Sequence, residues 1–115
     1  MAHDVDVLVI GAGACGLAAA IAAHDAGASV AIVEKMDRPG GNSSLSTGSV
    51  PAANSRFQRE AGIQDDPQTY VRDLMGIAKE TDDLALVERL AEVSAETVEW
   101  LIDTLGARMT LITAY

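Results

Sequence analysis

Apolar and polar residues fall in blocks along the first third of the chain. Residues 5–10 (VDVLVI) are a short β-branched run closed by Gly11, the pattern of a parallel strand buried on both faces. Residues 14–26 are rich in alanine and leucine, strong helix formers, and stop at Gly27, a natural C-terminal cap. Residues 29–34 (SVAIVE) repeat the strand pattern. Strand, helix, strand is a βαβ unit, and its crossover is expected to be right-handed.

After Lys35 the pattern breaks. Residues 36–55 are dominated by Gly, Ser, Asn and Pro, and a loop this long is unusual in a compact domain unless it has a task. Asp66-Pro67 caps and opens a helix to about Lys79. Thr81-Asp82-Asp83 starts another, with carboxylates at the positive end of the helix dipole and one apolar face of Leu84, Val87, Leu90 and Ala91. Ser94 reads as a second start, because Ala95, Val98, Leu101, Ile102 and Leu105 form a fresh face that Gly106 ends. Residues 109–113 (MTLIT) have the look of a strand beginning. The expected layout is therefore a βαβ unit over 1–35, a Gly/Ser loop over 36–55, a helical segment over 56–106 and the start of a further strand over 107–115. Two or three parallel strands do not make a sheet covered on both faces. The 115 residues are thus expected to be an incomplete fragment of a larger protein, or one piece of a co-assembled one.

Composition narrows the classes. The chain is 49% hydrophobic and 22% charged, which is globular, and 115 residues suit one small domain. Eight basic against seventeen acidic residues give a formal charge of −9, which disfavours nucleic acid as a partner. The one cysteine, Cys15, allows no intrachain disulfide, and His3 and His24 are too few and too isolated for a metal centre. Residues 7–23 carry no charge, but three glycines and a short length argue against a membrane span. The N-terminus is acidic where a signal peptide needs basic residues, so a cytoplasmic location is expected.

The strongest chemical signal lies in residues 9–20, VIGAGACGLAAA. Gly11, Gly13 and Gly16 make GxGxxG directly between the first strand and the helix. In such a turn the first glycine permits the sharp bend, the second lets a pyrophosphate reach the backbone, and the third lets the helix lie close on the sheet. The unpaired amides and dipole of the helix then face the phosphates. Glu34 ends the second strand eighteen residues (34 − 16) beyond Gly16, where a carboxylate accepts hydrogen bonds from an adenosine ribose and disfavours a 2′-phosphate. This defines a Rossmann-like dinucleotide site for FAD or NAD, and disfavours NADP.

Glu34-Lys35 followed by GGNSSLSTGSVPAA resembles the FAD-binding region of the fumarate reductase and succinate dehydrogenase flavoprotein family, which includes 3-ketosteroid dehydrogenases. The resemblance extends over nearly the whole chain, through EWLIDTLGARM in the helical part. It implies FAD, with the backbone of Gly11, Ala12, Gly13, Ala14, Cys15 and Gly16 at the pyrophosphate, Glu34 at the adenosine ribose and Lys35 beside the adenine end. Gly40, Gly41, Asn42, Ser43 and Ser44 would wrap the diphosphate and ribityl chain, and Ser46, Thr47, Gly48 and Ser49 would approach the flavin ring. In the respiratory members a loop histidine binds FAD covalently; here Ser43 or a neighbour takes that position and residues 36–55 hold no histidine, so non-covalent FAD is expected. Gly48-Ser49 stands where many members have Gly-Gly.

The implied chemistry is hydride transfer to or from a C–C bond beside a carbonyl or carboxylate of a small-molecule substrate. No catalytic residue is assigned, because the family's acid–base residues come from later segments. The alternatives are another two-dinucleotide flavoprotein and a non-catalytic nucleotide-binding module. Cys15 is expected to be a small buried packing residue and His24 solvent-facing. Trp100 is expected in packing, and Arg56, Arg59, Arg72 and the carboxylates of 82–99 on the solvated surface.

Overall fold

The computed structural model describes residues 4–79 and 82–113, in two compact units, Met1–Ser49 and Val50–Tyr115. Thr81, expected at a helix start, and His3 lie outside the described residues.

The first unit is the expected βαβ arrangement: β1 (Val7–Ile10), α1 (Ala14–Asp25) and β2 (Val30–Val33). The strands pair in parallel with Val7 opposite Val30 and Val9 opposite Ile32. Val30 and Ile32 line the same pocket as Leu17, Ala20, Ile21 and His24 of α1, so one sheet face is the one the helix covers. The other face is bare in this unit, with Leu8 56% and Ile10 83% exposed, as expected of a sheet that a fragment does not cover on both faces. The apolar runs are those of a two-sided strand, but the described residues supply one covering helix. Helix α1 ends as its sequence dictates: Gly27 adopts φ +91°, and the Ala28 N–H donates to the Ala23 carbonyl at 3.1 Å. Asp6 and Ser29 staple the strand starts together. The Asp6 carboxylate accepts from the Ser29 N–H at 2.9 Å and its hydroxyl at 2.6 Å.

The second unit is helical: α2 (Arg56–Glu60), α3 (Pro67–Ile77) and α4 (Leu84–Asp103). Asp66 caps α3 through the Thr69 N–H at 2.7 Å, and Asp83 caps α4 through the Ala85 N–H at 3.0 Å. Of the expected apolar face of α4, Val87 and Ala91 are buried, whereas Leu84 and Leu90 are about half exposed. Ser94 is not a helix start, because α4 runs through it without a break. Its hydroxyl donates to the Ala91 carbonyl at 2.8 Å and accepts from the buried Ala53 N–H at 2.9 Å. A serine that reads as a cap is thus occupied in satisfying a loop amide. Ser94→Ala strands that N–H at a cost of about 1–3 kcal/mol, more than the roughly 0.5 kcal/mol alanine gains as a helix former. Urea denaturation is expected to give a lower midpoint, and an unchanged midpoint would show the hydroxyl to be dispensable.

Helix α2 opens the helical segment expected over 56–106, although that expectation does not single it out as a separate helix. Its signal is a capping box, Ser55-Arg56-Phe57-Gln58, with the Ser55 N–H donating to Gln58 Oε1 at 2.8 Å. Arg56 and Arg59 are not idle surface charge: Arg56 pairs with Asp103 at 2.7 Å and Arg59 with Glu99 at 3.0 Å, tying α2 to α4. Gly106 ends the last turn as expected, its N–H donating to the Ile102 carbonyl at 3.0 Å. Residues 109–113 form no strand, since no neighbouring strand in that unit offers a ladder. No described helix is long and apolar enough to cross a membrane.

Candidate dinucleotide site

The turn from β1 into α1 divides its glycines by role. Gly11 bends the chain at φ +101°, a conformation that side chains strain. A Cβ built on Gly16 would lie 2.0 Å from the Gly11 carbonyl oxygen, so its bareness is what lets α1 lie against the turn. A Cβ on Gly13 would meet only the Gly40 oxygen, at 3.9 Å, and otherwise faces open space. At that open side α1 begins. Among the described residues, no protein atom accepts from the N–H groups of Cys15 or Gly16. Such first-turn donors, with the helix dipole behind them, suit a phosphate.

Glu34 closes the site from the end of β2. Its Oε2 accepts from the Ala12 N–H at 2.7 Å and its Oε1 from the Met36 N–H at 2.9 Å. These two amides, Ala12 first, hold the carboxyl below the ordinary carboxylate range. The Ser29 hydroxyl, ahead of its backbone N–H, does the same for Asp6, and the Thr69 N–H for Asp66. Groups depressed in the folded state contribute stability that is present above the ordinary carboxylate pKa and lost as pH falls through their folded values. Unfolding midpoints are expected to fall as pH drops below about 4, less steeply in Asp6→Asn. Equal slopes in both proteins would refute the Asp6 share.

The 36–55 loop returns to this turn through its first half. Gly40 bridges Gly13 in parallel fashion, with the Gly40 N–H donating to the Ala12 carbonyl at 2.8 Å. A 3-10 turn over Gly41–Leu45 follows, and Ser43 Oγ accepts from the Ala14 N–H at 3.3 Å. The structure therefore gathers Gly11 to Gly16, Glu34, Gly40, Gly41 and Ser43 at one place. Ser44 bonds within its own turn, to the Gly41 carbonyl; the Ser46 N–H donates to the Ser43 carbonyl at 3.2 Å, and the side chains of Ser46, Thr47 and Ser49 bond only within residues 46–49. Lys35 and Asn42 are exposed. Cys15 is exposed rather than buried, because the first turn of α1 points it away from the sheet contact that Gly16 makes; His24 is exposed as expected. Among the described residues no group of His, Cys, Asp and Glu is placed to hold a metal.

A parallel βαβ unit with a bare, amide-lined glycine turn and an acid at the second strand's end is the arrangement of a dinucleotide-binding protein, for FAD or NAD alike. The chain belongs to the family described as FAD binding domain, whose profile matches residues 6–112. It is 44% identical over 98 residues to the NADH:fumarate oxidoreductase of Klebsiella pneumoniae, covering 85% of this chain and 11% of that protein. The open conformation of a flavocytochrome c3 fumarate reductase superposes with a TM-score of 0.87 at 38% identity, over 96% of this chain and 19% of the other. The 3-ketosteroid-delta4-(5alpha)-dehydrogenase of Rhodococcus jostii gives 0.78 at 31% identity, over 86% and 21%. The chain thus spans between a tenth and about a fifth of the proteins it matches.

Proposed function

We propose that this chain is the cofactor-holding front of a flavin-dependent oxidoreductase, and that residues 11–16, 34, 35, 40–44 and 46–49 hold FAD without a covalent bond. The observation that carries the reading is the open side of Gly13 beside the free amides of Cys15 and Gly16. In this reading those amides take the diphosphate, Glu34 the adenosine ribose, and Lys35 lies toward the adenine. Gly40, Gly41, Asn42, Ser43 and Ser44 wrap the diphosphate and ribityl chain with small donors on a permissive backbone. Ser46, Thr47, Gly48 and Ser49 lie along the ring.

Bound FAD supplies a two-electron centre that exchanges hydride with a substrate carbon. A fumarate reductase and a 3-ketosteroid dehydrogenase among the similar proteins favour a substrate C–C bond beside a carboxylate or carbonyl. This chain's contribution is to fix the cofactor's position, and the groups that move the proton lie in other segments. The remainder of the same protein, or a complementary chain, covers the exposed Leu8, Ile10 and Val33 in this reading. A cytoplasmic location belongs to it too.

The test is the visible spectrum of the full native polypeptide that carries these residues. Flavin bands that acid precipitation releases into the supernatant are expected. Flavin that stays with the precipitate would overturn non-covalent binding, and a colourless protein that takes NAD would overturn the flavin reading.

A further inference from the structure

Glu34 meets the glycine turn without any ligand. Its carboxylate bonds to the Ala12 N–H at 2.7 Å, while the Ala12 carbonyl accepts the Gly40 N–H at 2.8 Å. Ala12 is 4% exposed and sits between Gly11 and Gly13, the two residues of the turn with the least intrinsic stiffness. Its peptide groups are thus held on both sides, by the end of β2 and by the start of the 3-10 loop. The second oxygen of Glu34 binds the Met36 N–H at 2.9 Å, which fixes the carboxylate itself. Each carboxylate oxygen has a second lone pair, so these bonds leave acceptor capacity over.

We infer that Glu34 is a positioning residue for the phosphate-facing turn, acting through the Ala12 amide whether or not the ligand carries a ribose. The inference rests on the site proposed above and adds a role independent of the ribose. An anionic carboxylate near a diphosphate is otherwise unfavourable. A Glu34 that served the ribose alone would weaken binding of any ligand lacking that sugar, and its removal would help such a ligand. A Glu34 that holds the turn in register does the reverse, because a loosened turn must be ordered when the ligand arrives.

The sign of the effect is the test. Inorganic pyrophosphate, which has no ribose, is titrated into cofactor-stripped wild type, Glu34→Ala and Glu34→Gln. Amide hydrogen exchange of Ala12 is followed in the same ligand-free proteins, with the central α1 amides of the same unit as the control for intact folding. Glu34→Ala is expected to lower pyrophosphate affinity by roughly threefold to tenfold and Ala12 protection by about tenfold or more. Glu34→Gln, which keeps one acceptor oxygen, is expected to fall between. Unchanged or tighter pyrophosphate binding in Glu34→Ala, or unchanged Ala12 protection, overturns the inference. If wild type binds neither pyrophosphate nor FAD, the site proposal itself fails, and the exchange result alone then decides the positioning role.

Discussion

Gly16→Ala is expected to destabilise the βαβ unit strongly, although alanine is the better helix former by about 1 kcal/mol. Gly16 lies inside α1 with no positive φ, so conformational strain is not the reason. The reason is space. The new Cβ would lie 2.0 Å from the Gly11 carbonyl oxygen, 3.1 Å from the Gly11 carbonyl carbon and 3.2 Å from Val9 Cγ1. Two of those atoms are backbone, so no rotamer change relieves the overlap. Relief requires α1 to move off β1 by an ångström or more, which opens the contact over Val9 and pulls on the Gly11 bend. Overpacking of this kind costs about 3 kcal/mol or more, against a total of roughly 5–15 kcal/mol for a small domain. A drop in Tm of about 10 °C or more is expected by circular dichroism. A variant as stable as wild type would show that the helix does not depend on that close approach.

Much of this geometry was legible because it is local. The βαβ order, the cap at Gly27 and the stop at Gly106 follow from residues within a turn or two of the feature they set. The three glycines of the turn were separable by role because the spacing alone places one in the bend, one at the mouth and one on the helix. What could not be read was set by partners distant in sequence. Ser94 carries the pattern of a cap, and only Ala53, 41 positions away, shows what its hydroxyl does. Arg56 and Arg59 find Asp103 and Glu99 more than three dozen positions on, a pairing no helical periodicity reveals. Helix α2 was readable in principle from its capping box, but five residues give no hydrophobic period to notice. The 3-10 turn over Gly41–Leu45 is similar, with a composition that says loop. Glu34 was legible as an acid at the end of β2; its bond to Ala12 became visible only in the folded turn.

Gly13→Val is expected to leave the fold standing and empty the site, the opposite outcome to Gly16→Ala. Gly13 has φ −77° and ψ 177°, extended backbone that valine adopts readily. Its Cβ would meet only the Gly40 oxygen at 3.9 Å, ordinary contact distance. The cost to folding is the loss of a tolerated residue at the start of α1, about 1 kcal/mol or less. The cost to binding is far larger. The valine methyls would stand where, in the proposed site, the diphosphate approaches the amides of Cys15 and Gly16. Losing two charge-assisted hydrogen bonds of about 1.5–3 kcal/mol each weakens binding by a hundredfold or more. Flavin absorbance per mole of protein and the thermal midpoint, measured on the same preparation, separate the two costs. Full flavin occupancy in Gly13→Val would place the diphosphate elsewhere, and a collapsed midpoint would make Gly13 a packing glycine like Gly16. The two substitutions lie three residues apart on one turn, so opposite outcomes would divide that turn into a half that builds the fold and a half that binds.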